Sequence, residues 1–242
     1  MNSIELRRRI HQNPELSFEE HQTQSLIIEA LEAEGIECRK IAGTGVLAKI
    51  QGKRGNLKRC VVLRADIDAL PIKELNDIAF CSKNEGVMHA CGHDMHTAIL
   101  FGVLQELNKE RNFEGTLFGI FQPGEELNPG GASMILAERP FEGYDVAAVI
   151  GQHVDSRLDV GQIGICPGVF MASNDELRLW ISGHGGHAAR REDINDTVTA
   201  MADMVVRTTA LNTPNSVVSI GKVIAEGATN VIPGEVYAEG TM

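Results

Sequence analysis

Short apolar runs at residues 60–63, 115–121 and 146–150 alternate with stretches of helical periodicity, and this alternation limits the fold more than any other feature. Cys60-Val-Val-Leu63 is apolar throughout, as a strand covered on both faces must be. Strands separated by helices favour a mostly parallel α/β sheet, because a parallel pair needs a crossover long enough to hold a helix. Helical patterning covers 3–12, closed by Asn13-Pro14. It resumes at 18–34, where Ser17 with Glu20 reads as a capping box and Gly35 as the stop. Residues 45–50 read as another strand and 130–138 as a short helix. A longer helix runs to about residue 109, with Asp94 as its N-cap.

Each apolar run ends in groups that bind cations or move protons. Asp66 and Asp68 follow the first, Glu125 and Glu126 the second, and His153 the third. In open α/β sheets the carboxyl ends of the strands line the ligand crevice. Close to these groups stands Met88-His-Ala-Cys-Gly-His-Asp-Met-His-Thr97, which holds three of the eight histidines and one of the five cysteines. Thiolate, imidazole and carboxylate in that density suit a borderline-soft divalent ion. A polar loop opening a helix would explain the stretch by itself. Three strand ends delivering acids or histidine to the same edge favour a metal site.

The character changes after Pro167. Residues 175–182 alternate polar and apolar, Gly183-His-Gly-Gly-His-Ala-Ala189 follows, and 193–211 reads as an amphipathic helix. Residues 216–223 and 235–241 read as two more strands. The order β-α-β-β opens a split β-α-β-β-α-β unit, so two domains are expected, at 1–168 and 169–242. A net charge of −11 argues against nucleic acid or an anionic membrane as partner. There is no apolar run of the roughly 20 residues a membrane span needs, and no signal peptide. Five scattered cysteines point to reduced thiols, hence a cytoplasmic protein.

Several longer motifs resemble one family. Arg-Ile-His-Gln-Asn-Pro-Glu-Leu (9–16), Arg-Ala-Asp-Ile-Asp-Ala-Leu-Pro-Ile (64–72) and Met-His-Ala-Cys-Gly-His-Asp-Met-His (88–96) are similar to the metal-dependent aminoacylase/carboxypeptidase superfamily. So are Phe-Gln-Pro-Gly-Glu-Glu (121–126), Gly-Gly-His-Ala-Ala (185–189) and Asn-Val-Ile-Pro (230–233). The resemblance is to the amidohydrolase subgroup with hippurate hydrolase, indole-acetyl–amino acid hydrolase and N-acetyl-diaminopimelate deacetylase.

It implies a catalytic domain on a mostly parallel sheet and a smaller ferredoxin-like α+β lid that also dimerises. It implies two divalent ions, zinc or manganese with cobalt as an option, held by a bridging Cys91 with His93, Glu126 and His153. Glu125 would be the general base, Asp68 would orient a ligand, His187 would steady the oxyanion in the partner subunit's site, and Asn230 would contact substrate or that histidine. The reaction implied is metal-dependent hydrolysis of N-acyl amino acids to a carboxylic acid and a free amino acid, by a homodimer.

Duller readings stand beside these: Cys91 as a buried structural thiol, His153 as a core histidine, Glu125 as a solvated loop acid. His89 and His96 read as orienting or capping groups, His184 as structural, and Asp66 is not taken as a ligand. Members of the family continue past the point matched by Met242 and supply a further histidine ligand. Both domains are therefore expected to be incomplete, the chain being the N-terminal part of a longer protein. A dipeptidase or carboxypeptidase on the same scaffold, or a non-catalytic metal-binding or oligomerisation remnant, are the alternatives.

Overall fold

A computed structural model describes all residues, 1–242. The chain divides into two compact units, Met1–Gly161 and Gln162–Met242.

The first unit opens with α1 (Ser3–Gln12) and α2 (His21–Ala33), then the hairpin β1 (Glu37–Ile41) and β2 (Gly45–Gln51). Next come β3 (Arg59–Asp66), α3 (His93–Glu110), β4 (Thr116–Gln122), α4 (Gly131–Ala137) and β5 (Asp145–Gly151). The sheet order is β1-β2-β4-β3-β5. Strands β3, β4 and β5 are parallel neighbours, whereas β2 pairs antiparallel with both β1 and β4. Four of the five strands thus share one direction, and the mainly parallel α/β sheet expected from the alternation is present.

The two-residue period of a strand sorts the core. Val46, Ala48, Ile50, Ala65, Leu117 and Phe121 face α1, α2 and α3, where they pack with Leu6, Ile27, Phe101 and Leu104. Leu47, Cys60, Val62, Phe118 and Ile120 face the other way, toward Ile135 of α4. Strand β5 lies at the sheet's edge and all seven of its residues are exposed.

Two local expectations are corrected in this unit. Ser17 and Glu20 form no capping box: α2 starts at His21, and its first free amides, Gln22 and Thr23, donate to the Glu15 carboxylate at 3.0 and 2.8 Å. Phe18, at φ 66°, turns the chain out of helical geometry there. Asp94 does not cap α3, because Gly92 in the left-handed conformation takes that position. Buried in the first turn instead, Asp94 accepts from Arg7 Nε at 2.7 Å and His11 Nδ1 at 2.9 Å, tying α1 to α3. Strand β1, unread in the sequence, has polar residues on both faces and only Ile41 fully buried.

The second unit contains β6 (Glu176–Ser182), β7 (Gly186–His187), α5 (Thr197–Thr209), β8 (Ser219–Ile224), β9 (Val231–Ile232) and β10 (Glu235–Thr241). Its antiparallel sheet runs β6-β10-β8, with Met201 of α5 packed against Val236 and Ala238. The helix starts later than the expected 193, because Arg191–Asp193 is a 3-10 turn and Asp196 caps α5, its Oδ1 accepting from Thr199 N at 2.9 Å.

Candidate metal centre

Parallel register brings the strand ends level: Asp66 pairs with Gln122, and Arg64 with Gly151. The loops leaving β3, β4 and β5 then carry Asp68, Glu125 with Glu126, and His153 to one edge of the sheet. The loop before α3 brings Cys91 and His93 to the same edge. Donor atoms of Cys91, His93 and His153 lie within 4.8 Å of one another, as do those of His93, Glu125 and Glu126. His93 belongs to both groups.

Hydrogen bonds to acceptor-only partners decide which imidazole nitrogens are free. His93 Nδ1 faces the Asp68 carbonyl at 2.9 Å and the Asp68 Oδ1 at 3.1 Å, so Nδ1 carries a proton and Nε2 is the nitrogen that can offer a lone pair to an ion. His153 Nδ1 donates to the Val154 carbonyl at 2.7 Å, and its Nε2 sits 3.3 Å from Cys91 Sγ. His96 differs. Its Nδ1 donates to Asp66 Oδ1 at 2.6 Å and its Nε2 accepts from the Val154 amide at 2.9 Å, leaving no lone pair for an ion. Asp66 is similarly spent between His96 and Arg64, the latter at 2.7 Å.

The donor set fits divalent cations. His93 Nε2 and Glu126 Oε1 are buried, lack any hydrogen-bond partner, and stand 3.7 Å apart. Glu125 Oε2 is 3.9 Å from the same His93 nitrogen. Two buried polar atoms aimed at each other without a shared proton would each cost about 1–3 kcal/mol, a penalty that coordination removes. The electrostatics agree. Burial, and then the carboxylate of Glu126, push the Cys91 thiol up to about 12. Burial, and then Glu125, also raise Glu126. Negative charge gathered this closely is relieved by a cation, which would also ionise the thiol. Sulfur, imidazole and carboxylate donors suit zinc, manganese or cobalt.

The partners of these ligand candidates were mostly invisible in the sequence. Asp68 Oδ2 accepts from Ser17 Oγ at 2.7 Å and from the Glu126 amide at 2.9 Å, so one buried carboxylate holds both His93 and the Glu126 backbone. Burial alone would raise its pKa; the hydrogen bonds from His93, the Glu126 amide and Ser17 outweigh that and bring it to about 2. Glu20, also buried, accepts from Thr44 Oγ1 and, at 2.8 Å, from the Gly124 amide, fixing the loop that carries Glu125. His89 is buried with neither ring nitrogen hydrogen-bonded, and burial lowers its pKa to about 4.

His187 and Asn230 lie in the second unit. The β7–β9 ribbon pairs His187 with Val231 and sets Asn230 Nδ2 3.3 Å from His187 Nε2. Since His187 Nδ1 accepts from the Ala189 amide at 3.2 Å, Nε2 bears the proton, and the Asn230 amide must turn its oxygen toward it. His184 offers its backbone amide, not its ring, to Asn195 Oδ1 at 3.0 Å.

No helix is long and apolar enough to cross a membrane. The sequence profile of peptidase family M20/M25/M40 matches residues 62–238. An N-acyl-L-amino acid amidohydrolase of Geobacillus stearothermophilus is 40% identical over 247 residues, covering 99% of this chain and 66% of its own length. An N-acetylcysteine deacetylase of Bacillus subtilis (strain 168) is 41% identical over 248 residues, covering 99% and 64%. The crystal structure of a dinuclear metal binding peptidase of the M20 family from Bacillus subtilis superposes with a TM-score of 0.75 at 38% identity, over 99% of this chain and 62% of that one. This chain therefore spans just under two thirds of the length of these relatives.

Proposed function

The chain belongs to peptidase family M20/M25/M40, and from that premise we propose that it hydrolyses the amide bond of N-acyl amino acids, releasing a carboxylic acid and a free amino acid. Two divalent cations, zinc or manganese with cobalt as a substitute, would be held by Cys91, His93, Glu126 and His153. The observation that carries this reading is the pair of buried, partnerless atoms His93 Nε2 and Glu126 Oε1, 3.7 Å apart with Glu125 beside them. The names of the relatives, an amidohydrolase and a deacetylase acting on N-acyl amino acids, support the substrate class.

When bound, such cations polarise an amide carbonyl and lower the pKa of water. The rest falls to side chains. Glu125, less buried than Glu126 and free of hydrogen-bond partners at the site, takes the proton from the attacking water and passes it to the leaving amine nitrogen as the C–N bond breaks. Asp68 keeps the His93 proton on Nδ1. The Nε2–H of His187, its tautomer set by the Ala189 amide, would exchange Asn230 for the carbonyl oxygen as that oxygen gains charge, and a homodimer would let one copy offer it to the other.

The test is metal analysis with turnover of a panel of hippurate, N-acetyl amino acids and dipeptides. About two transition-metal ions per chain are expected, with activity lost to chelator and restored by zinc, manganese or cobalt. Glu125→Gln should keep its metal and lose roughly 10²–10⁴ in kcat. Metal binding with no turnover, or a Glu125→Gln variant as active as the parent, refutes the hydrolase. Preference for dipeptides refutes the substrate class alone.

A further inference from the structure

We propose that His96 is a positioning residue that holds the His153 loop in place for cation binding and is not itself a ligand, an inference that rests on the assignment of His153 made above. The ladder of edge strand β5 ends at Gly151, so His153 begins where sheet hydrogen bonding stops, on an exposed loop. A ligand there needs another anchor. It has one: the Val154 amide donates to His96 Nε2 at 2.9 Å, while the Val154 carbonyl accepts from His153 Nδ1 at 2.7 Å. One residue's two backbone groups thus link a fully buried imidazole to an exposed one. The first bond fixes the peptide joining His153 to Val154, and the second fixes the rotation of the His153 ring.

The anchor is itself braced. His96 Nδ1 donates to Asp66 Oδ1 at 2.6 Å, which sets the tautomer that leaves Nε2 as acceptor, and Arg64 donates to Asp66 Oδ2 at 2.7 Å. The His96 and His153 rings meet edge to face, with centroids 4.6 Å apart. On the loop side, Val154 fits over Gly92, where an added Cβ would lie 2.6 Å from Val154 Cγ2. A side chain at position 92 would push the loop away from Cys91 and His93. Asp66, His93 and His96 also lie within 4.8 Å of one another, yet the hydrogen bonds of His96 exclude it from coordination.

The test is a double-mutant cycle read by calorimetric titration of the chelator-stripped chain with cobalt(II), not by activity. His96→Phe, which keeps the ring and loses both hydrogen bonds, should weaken one cobalt site by about 10–100-fold. His96→Gln, with one donor and one acceptor, should recover part of that loss. In a His153→Ala background, His96→Phe should have no further effect. Equal losses in both backgrounds would make His96 merely structural and overturn the proposal. If His153→Ala alone leaves cobalt affinity unchanged, the ligand assignment fails and the positioning role with it. If His153→Ala weakens binding and His96→Phe does not, positioning fails alone. Should His96→Phe not fold, the unmutated chain decides: cadmium loaded onto nitrogen-labelled protein should show scalar coupling to Nε2 of His93 and His153. Coupling to His96 would make it a ligand and refute the proposal.

Discussion

Replacing Asp68 with asparagine removes one charge and almost no volume from the point where the candidate centre is tied together. The carboxylate accepts from His93, Ser17 and the Glu126 amide, and its side chain is buried. Asparagine has one acceptor oxygen, so either His93 Nδ1–H or the Glu126 amide comes to face an N–H. Leaving such a donor unpaired costs about 1–3 kcal/mol. Loss of the charge adds to this. A fall of the Asp68 pKa from 3.8 to about 2 corresponds to about 2 kcal/mol favouring the folded state whenever the carboxylate is ionised. Because the folded value is the lower one, this contribution is complete well above pH 3.8 and disappears as pH falls through 2. About half of it is gone at pH 3.

Urea unfolding of the chelator-stripped chain at pH 7 and pH 3 should therefore show Asp68→Asn less stable by about 3–5 kcal/mol at pH 7, with the gap about 1 kcal/mol smaller at pH 3. Far-ultraviolet circular dichroism is the appropriate signal, since it follows the helices and strands of the unit that holds Asp68, whereas the single tryptophan, Trp180, sits on β6 of the second unit. The Asp68 carbonyl still accepts from His93 Nδ1 at 2.9 Å, so the tautomer should survive and cobalt affinity fall by only about 10–100-fold. A gap that does not change between the two pH values would refute the reasoning, because Asp68 would then not be held ionised by its hydrogen bonds.

Two further outcomes follow from particular contacts. His11 donates from both ring nitrogens, to Asp94 at 2.9 Å and Glu74 at 3.1 Å, which makes it an imidazolium; the Asp94 bond is the main cause of its raised pKa. A raised value means stability present below pH 6.5 and lost as pH rises through the folded value. Asp94, lowered from 3.8, loses its own contribution only in more acid solution. Thermal melts should accordingly place His11→Gln furthest below the parent, by about 3 kcal/mol, between about pH 4 and 6.5, with the gap closing as pH rises through the folded value; a gap that widens with pH rejects the ion pair. Gly124 has φ +54°, and an added Cβ would lie 2.3 Å from the Phe18 ring. Gly124→Ala should cost about 1–3 kcal/mol and displace Glu125, lowering kcat with little change in bound metal; a melting point and kcat like the parent's would disprove that.

What was legible in the sequence follows from how far away each residue's partner lies. Strand ends stood out because apolar runs of β3, β4 and β5 stop abruptly at acids or histidine, a signal contained in a few consecutive residues. β1 gave no such signal, since an edge strand with polar residues on both faces and only Ile41 fully buried shows no apolar alternation. Ser17 and Glu20 misled for a related reason: Ser-x-x-Glu has the same spacing whether the side chains cap a helix or reach elsewhere. The outcome was set by Asp68, 51 residues from Ser17, and by the Gly124 amide, 104 residues from Glu20. The histidines of residues 88–97 show the same dependence on distant partners most fully. The motif resemblance singles out His93 as a ligand and leaves His89 and His96 as orienting or capping groups, but their density alone signals a cation without a physical reason for that division. The distinction comes from the second nitrogen of each ring. His93 gives its proton to Asp68 and keeps a lone pair, His96 uses both nitrogens on Asp66 and Val154, and His89 hydrogen-bonds with neither. Asp66, Asp68 and Val154 come from two other strand ends, so a ligand set could be proposed from motifs, but the physical reason that one histidine is available and its neighbour is not exists only once the sheet has formed.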